Sequence, residues 1–255
     1  MDSRLSPSDQ KELRFWKGDP RYNRASSFWE NLKVKGGELR MFEELVPLLD
    51  VRPGERILEL GAGQAWASQM LKRTNPACEI HASELSPEAL LGAEKWERLF
   101  EAPLDGYWAC QADHTPFEDE QFDLVFAFAA FHHFVIGGRG RQALAEALRI
   151  TKRGGRLVLL SEPTAPPWFR EWSRRKMNRL RCQLEFDVDE DCLVLSDLER
   201  WAHDLHATMR VRFDTSWSWR EIAFTGVLRT AAVRAVPALG WLVPISAHLT
   251  FVREG

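Results

Sequence analysis

The chain has 255 residues, of which 45% are hydrophobic and 28% charged, and its formal net charge is −3. This length and composition fit one α/β domain with insertions, and the four cysteines contain no C-x-x-C pair that would predict a disulfide framework or a zinc site. The slightly negative charge offers no overall field that would attract nucleic acid, so a nucleic-acid partner is not predicted.

Residues 1–37 are polar and carry aromatic pairs at Phe15–Trp16 and Phe28–Trp29, which predicts an N-terminal helical lid. The segment lacks the apolar region of a signal peptide, and no stretch of eighteen uncharged apolar residues occurs in the chain. These features favour a cytoplasmic protein, and contact with the inner face of a membrane stays open as an alternative.

Residues 38–163 alternate helical and extended patterns. Apolar residues at helical spacing follow Glu38, and short apolar strands are predicted at 56–60, 78–83, 106–111, 122–128 and 156–161. This alternation predicts an α/β fold with a doubly wound, mostly parallel sheet and right-handed crossovers.

The alternation ends after Pro163. Residues 164–195 are basic and rich in tryptophan, which predicts a cap insertion. Residues 196–255 are expected to complete the core, with a helix opened by a capping box at Ser196–Glu199 and a helical insertion at 216–244.

Small and acidic residues follow three consecutive predicted strands. Glu59 ends the first strand, ahead of a glycine-rich turn at 61–63, and Glu84 lies 23 residues after Gly61. Ligands bind beyond the carboxyl ends of such strands, where glycines allow close backbone approach and an acid can accept hydrogen bonds from ribose hydroxyls. Asp113 and His114 follow the third strand, where they would meet an adenine edge.

A dinucleotide-binding enzyme is the main competing interpretation of this turn. Its fingerprint needs a third glycine to leave room for the pyrophosphate, and Trp66 stands at that position. The bulky indole argues against a nicotinamide dinucleotide.

Four ordered segments resemble the motifs of class I methyltransferases that use S-adenosylmethionine (SAM). They read ILELGAGQAWAS, EIHASELSPEAL, QADHTPFEDEQFDLVFAFAAFHHF and LRITKRGGRLVLLSEP, and the resemblance covers roughly residues 40–163. It implies a seven-stranded Rossmann-like sheet, SAM as the cofactor, S-adenosylhomocysteine as its product and a small-molecule substrate.

The resemblance also implies a set of cofactor-binding residues in the loops after the first four strands: Glu59, Gly61, Ala62, Gly63, Glu84, Leu85, Asp113, His114, Phe128 and Ala129. The glycine turn would pass beneath the methionine part, Glu59 would orient the amino group, and Glu84 would hold the ribose. The residues that follow Glu84 and the third strand would lie along the adenine, and Phe128 and Ala129 would border the sulfonium.

Methyl transfer is an in-line displacement, so alignment supplies much of the rate and a base is needed only if the nucleophile must lose a proton. His133 is the first catalytic candidate because it follows the fourth strand, and Glu162, at the tip of the fifth, is the second. A structural or substrate-lining role of the His132–His133 pair remains the alternative. No cluster of metal ligands is predicted.

The acceptor is less constrained. The residues after the fourth strand lack Asn/Asp-Pro-Pro-Tyr, which argues against adenine-N6 and glutamine-amide methylation. The basic segment at 164–195 fits a solvated helix, a lid that binds an anionic group, or an interfacial helix at an anionic membrane. The apolar residues 222–244 fit a hydrophobic pocket or that same membrane contact.

Two functions therefore stay open at the level of sequence. The first is methyl transfer from SAM to an O, N or C atom of a small molecule, and the insertions resemble those of methyltransferases from bacterial secondary-metabolite and surface-glycan pathways. The second is a non-catalytic protein with a SAM-binding fold that serves as a scaffold at a partner or membrane surface.

Overall fold

A computed structural model of the protein describes residues 5–18, 28–183, 188–215 and 224–254. Within these residues, seven strands form one sheet in the order β3-β2-β1-β4-β5-β7-β6. The strands are β1 (Arg56–Leu60), β2 (Glu79–Glu84), β3 (Gly106–Ala109), β4 (Phe122–Phe128), β5 (Thr151–Thr164), β6 (Ala207–Phe213) and β7 (Ile245–Arg253). The first five are parallel, and β7 runs antiparallel to both β5 and β6. The predicted fold class is confirmed.

Helices cover both faces of this sheet. Their bounds are α1 (Pro7–Gly18), α2 (Phe28–Leu45), α3 (Trp66–Thr74), α4 (Pro87–Leu91), α5 (Ala93–Phe100), α6 (Phe131–Phe134), α7 (Gly140–Ile150), α8 (Arg170–Gln183), α9 (Leu195–Asp204) and α10 (Phe224–Ala235). None of the described helices combines the length and apolarity needed to cross a membrane.

The central strand β4 explains why both faces are covered. Its Leu124 and Phe126 pack with α2, α3 and α5, whereas Val125 and Ala127 pack with α7 and α9. Successive side chains of a strand point to opposite faces, so a continuous apolar run needs a helical layer on each side.

Some local features differ from the sequence predictions. Ser86 does cap α4, where its side chain accepts a hydrogen bond from the Ala89 N–H. The capping box predicted at Ser196 is wrong, because α9 already begins at Leu195 after an N-cap at Val194 that makes no side-chain bond.

The predicted segment boundaries agree only in part with the observed helix bounds. Helix α2 runs across the boundary expected between residues 37 and 38, and α8 gives the 164–195 insertion a regular core. Part of the 216–244 insertion forms α10 and a 3₁₀ turn at Pro237–Trp241, while residues 216–223 lie outside the described ranges.

Strand order reverses between β1 and β4, since the chain proceeds outward to β2 and β3 before it returns beside β1. In an open α/β sheet this switch point leaves a crevice at the carboxyl ends of the strands.

Candidate active site

A cavity of about 700 Å³ lies at these carboxyl ends. Nine of the ten residues predicted to bind the cofactor line it, the exception being His114. His114 is exposed, and its backbone N–H donates to the Gln111 carbonyl at 3.2 Å in a tight turn. The structure therefore brings the predicted set together without His114, which is not placed to contact an adenine in this cavity.

The turn after β1 requires glycine at two positions. Gly61 and Gly63 have φ angles of +69° and +54°, in the left-handed region that side chains disfavour. A Cβ at Gly61 would lie 2.9 Å from the Ala130 Cβ, and one at Gly63 would lie 3.1 Å from the Trp16 ring. The absence of side chains lets the backbone form the floor of the cavity.

Two buried carboxylates connect this turn to its surroundings, Glu84 at the turn itself and Glu59 at the start of α3. Glu84 accepts hydrogen bonds from the Gly63 N–H at 2.9 Å and the Ser86 N–H at 3.1 Å, and Glu59 accepts one from the Ser68 N–H at 3.0 Å. Burial raises the pKa of Glu84, and it raises that of Glu59 to about 8. Each carboxylate can accept further hydrogen bonds, so both suit a ligand that offers hydroxyl or ammonium donors.

Helix α1 lies along one side of the cavity and contributes to its lining. Asp9 accepts a hydrogen bond from Arg139 Nη2 at 2.6 Å, and Arg139 Nη1 lies 3.5 Å from Asp113. At the other end of the helix, Trp16 lies against Gly63. These contacts connect the helix to the loops after β1 and β3.

The predicted catalytic candidate Glu162 has a different environment from the one expected. Its side chain is fully buried and is not among the described residues that line the cavity. It accepts backbone hydrogen bonds from Ala130, Phe131 and His132 at 2.9–3.0 Å, and it contacts His132 Nδ1 at 2.8 Å. Because its oxygens are occupied by the loop after β4, the geometry favours a positioning role over proton transfer.

His133 lines the cavity, as a catalytic or substrate-lining role would require. Its Nδ1 lies 3.0 Å from the Asp189 carbonyl oxygen. A carbonyl only accepts, so Nδ1 carries a proton and Nε2 is the basic nitrogen of the neutral ring.

A third group joins the two histidines. One ligand atom from each of His132, His133 and Glu190 lies within 4.8 Å of the other two, and we call these residues the His–Glu cluster. Imidazole and carboxylate ligands suit several divalent transition metals, so the cluster could hold one. Glu190 lies more than fifty residues from the histidines, so motif spacing could not have revealed this group.

Glu12 is a cavity residue that the sequence reasoning missed. It accepts a hydrogen bond from Trp16 Nε1 at 2.9 Å, and its pKa is raised to about 7, mainly by burial and then by the nearby charge of Glu84. The i, i+4 spacing of Glu12 and Trp16 was the available signal, but it becomes informative only once α1 is placed over the cavity.

Part of the cavity lining, which we call the apolar wall, consists of apolar side chains. Its residues come from α2, α6, α8 and the segment between α8 and Glu190, and they are Met41, Phe134, Met177, Leu180 and Val188. The described side chains of α8 thus face the cavity with a methionine and a leucine. This arrangement does not support the interpretation of α8 as a lid that binds an anion.

Three of the arginines of α8 contact acids instead. Arg170 pairs with Asp191 at 2.7 Å, and both Arg174 and Arg175 pair with Glu171 at 2.6–2.9 Å. None of these arginines is among the described residues that line the cavity.

Comparison with known proteins agrees with this geometry. A family model described as a methyltransferase domain matches residues 58–159, which include the turn after β1 and the strands through β5. The demethylmenaquinone methyltransferase of Paenarthrobacter aurescens is 26% identical over 188 residues, covering 71% of this chain and 70% of that protein. The demethylmenaquinone methyltransferase of Thermotoga maritima is 36% identical over 114 residues, covering 44% and 45% of the two chains.

A solved structure gives the same fold over nearly the whole chain. Geranyl diphosphate C-methyltransferase from Streptomyces coelicolor, in complex with Mg²⁺, geranyl diphosphate and S-adenosyl-L-homocysteine, has a TM-score of 0.66. The match covers 99% of this chain and 100% of that one at 14% identity. The sheet order, the glycine turn with its two carboxylates and these relatives together identify the chain as a member of the class I SAM-dependent methyltransferases, an enzyme of the small-molecule type.

Proposed function

We propose that this enzyme transfers a methyl group from SAM to an oxygen, nitrogen or carbon atom of a hydrophobic small molecule. Of the two acceptor classes left open by the sequence, this favours a bacterial secondary metabolite over a glycan precursor. The observation that carries the proposal is that one cavity is lined both by the glycine turn with its carboxylates and by the apolar side chains of α8 and of the segment that follows it. When bound, SAM supplies an electrophilic methyl group on a sulfonium.

The residues of the floor have distinct tasks in this proposal. Glu84 binds the ribose hydroxyls while its hydrogen bond to Gly63 keeps the turn in register. Glu59 accepts a hydrogen bond from the amino group of the methionine part. Because burial disfavours the ionised form of Glu59, that form needs such a donor beside it. Asp113, next to Arg139, borders the adenine, and Leu85 packs on it.

The methyl group would be presented at the tip of β4. Ala129 has a φ of +50°, a conformation that is strained for a residue with a Cβ, and its N–H donates to the Leu160 carbonyl at 2.8 Å. Together with Phe128 it lines the cavity that the glycine turn and the histidines also line. Alignment at this point supplies much of the rate of an in-line displacement.

His133 accepts the proton that the hydroxyl, amine or acidic C–H group of the substrate must lose. Its Nδ1 donates to the Asp189 carbonyl, so Nε2 is the basic nitrogen that would accept the proton. Glu162 fixes the preceding residue and thereby sets the position of the histidine pair. A proton acceptor contributes roughly 10²- to 10⁴-fold to the rate when the nucleophile must be deprotonated.

The apolar wall favours an acceptor with an aromatic ring or an apolar chain. Met177, Leu180 and Val188 offer no charge to an anionic group, whereas they can bury hydrocarbon surface. The names of the relatives, which specify demethylmenaquinone, support the same chemical class without assigning that substrate to this chain.

The test is methyl transfer from radiolabelled SAM to a panel of acceptors that contains hydrophobic phenols and quinols, amines and sugar nucleotides. We expect product with the hydrophobic members, and His133→Gln should lower kcat by about 10²-fold or more without changing the affinity for SAM. His203→Gln, on the exposed face of α9, is the matched control. Turnover confined to the sugar nucleotides, or undiminished in His133→Gln, would contradict the proposal.

A further inference from the structure

We propose that the outer face of α8, with the adjoining 3₁₀ turns, docks on a lipid bilayer that carries anionic head groups. The aromatic residues at the start of this face are exposed to an unusual degree. Trp168 is 69% exposed and Trp172 is 55% exposed, and the Phe169 ring lies 4.8 Å from that of Trp172. A contiguous exposed aromatic patch of this size marks an interaction surface.

Basic residues continue the same face of the helix. Trp172, Lys176 and Arg179 follow one another at intervals of four and three residues within α8, which places them on one side of the helix, and Trp168 lies in the 3₁₀ turn that directly precedes it. Lys176 and Arg179 are exposed, and Lys176 Nζ lies 5.2 Å from the centre of the Trp172 ring. Tryptophan beside lysine and arginine is the composition of helices that lie in the interface of anionic membranes.

A second exposed apolar segment adjoins the first. Trp168 lines a small depression together with Gly240 and Trp241, so the turn at Pro237–Trp241 lies against the start of α8. Leu242, which follows directly, is 53% exposed. We call the combined surface of Trp168, Phe169, Trp172, Lys176, Arg179 and Leu242 the lipid-facing patch.

The chemistry of the patch favours a bilayer over a protein or a nucleic acid. Its aromatic rings can enter the head-group region, while the long basic side chains reach the lipid phosphates. The chain as a whole carries a net charge of −3, so the positive charge is local to this face instead of being a general attraction for polyanions.

The patch also connects to the cavity. Met177 and Leu180, on the same helix, line the cavity, and Leu180 is itself half exposed. Helix α8 therefore contributes both to the lipid-facing patch and to the apolar wall of the cavity. This part of the inference rests on the proposed function, since it explains how an acceptor with an apolar chain would reach the site from a bilayer.

The test is flotation of the full chain with vesicles of phosphatidylcholine alone and of phosphatidylcholine with 30% phosphatidylglycerol. We expect at least about tenfold stronger partitioning onto the anionic vesicles, weakened by high salt. Lys176→Gln with Arg179→Gln should lower that partitioning about 30-fold, since each basic residue near the surface contributes roughly fivefold. Trp168→Ser with Trp172→Ser should lower the partitioning onto the anionic vesicles as well.

Controls separate this inference from the proposed function. Leu91→Ser and Arg98→Gln remove an exposed apolar and an exposed basic side chain on α4 and α5, at the other end of the sheet, and should leave partitioning unchanged. SAM affinity, measured on every variant, reports folding and the cofactor site independently of lipid. Equal partitioning onto both kinds of vesicle, or patch variants that bind like the wild type, would overturn the inference. The inference would also be overturned if the protein bound no vesicles and the tryptophan variant changed its oligomeric state, because the patch would then be a protein contact.

Discussion

Replacing Glu162 with glutamine separates a positioning role from a catalytic one. In the native protein one carboxylate oxygen accepts the Ala130 and Phe131 N–H groups, and the other accepts the His132 N–H and contacts its Nδ1. Glutamine keeps one acceptor oxygen but turns the other position into an NH₂ group that faces donors. The His132 ring can change tautomer to accept a hydrogen bond, but a backbone N–H cannot.

The cost follows from this mismatch. At least one buried backbone N–H loses its partner, and an unsatisfied buried polar group costs about 1–3 kcal/mol. The hydrogen bonds that survive also lose the charge of their acceptor, which makes them weaker. We therefore expect Glu162→Gln to lower the free energy of unfolding by about 2–4 kcal/mol, since the side chain is fully buried and water cannot replace the lost partner.

Urea unfolding followed by tryptophan fluorescence measures this loss. Glu44→Gln is the control, because Glu44 is exposed and its i, i+4 pair with Arg40 contributes at most about 0.5 kcal/mol. A variant that keeps wild-type stability while kcat falls by two orders of magnitude or more would refute the positioning role and restore Glu162 as a proton acceptor.

Four further outcomes are expected. Glu84→Ala should weaken SAM binding by about 1–3 kcal/mol in calorimetry, because ribose acceptors and the bond to Gly63 are lost together. Gly63→Ala should weaken it as well, since the added Cβ at positive φ would lie against Trp16; an unchanged Kd would show that the turn does not contact the ligand. Glu12 has a folded pKa of about 7 against ~4.5 unfolded, so its contribution to stability is present below pH 4.5 and lost as the pH rises through 7. Glu12→Gln should therefore exceed the wild type by up to about 3 kcal/mol in urea unfolding at pH 8 and match it near pH 4, and parallel pH profiles would contradict this. EDTA should leave turnover unchanged if a histidine accepts the proton, whereas turnover lost to EDTA and restored by Zn²⁺ or Mn²⁺ would assign the His–Glu cluster to a metal.

The sheet and the position of the predicted cofactor residues could be predicted because their signals are local. The nearly continuous apolar composition of Phe122–Phe128 predicts a strand that is buried on both faces. Glu84 comes at the end of its strand, at the usual distance in sequence from the glycine turn. The topological rules for parallel sheets then bring these loops to one edge. His114 is exposed and is not among the described residues that line the cavity, because the chain turns tightly at Gln111–His114.

The acceptor side was much less predictable because it is assembled from distant segments. Glu12 and Glu190 are separated by most of the chain, and only the placement of α1 and the segment after α8 brings both to the cavity. Glu162 looked like a catalytic acid at a strand tip, but its hydrogen bonds to the loop after β4 depend on tertiary register that no pattern encodes. Residues 216–223, part of the predicted helical insertion, lie outside the described ranges.

The most direct test of the central claim is calorimetric titration of the folded protein with SAM and with S-adenosylhomocysteine, with Glu84→Ala titrated in parallel. We expect both ligands to bind the wild type with dissociation constants in roughly the micromolar range and the variant to bind about 5- to 150-fold more weakly. Absence of binding by either ligand to a demonstrably folded sample, or equal affinities in wild type and variant, would contradict the assignment of this cavity as the SAM site.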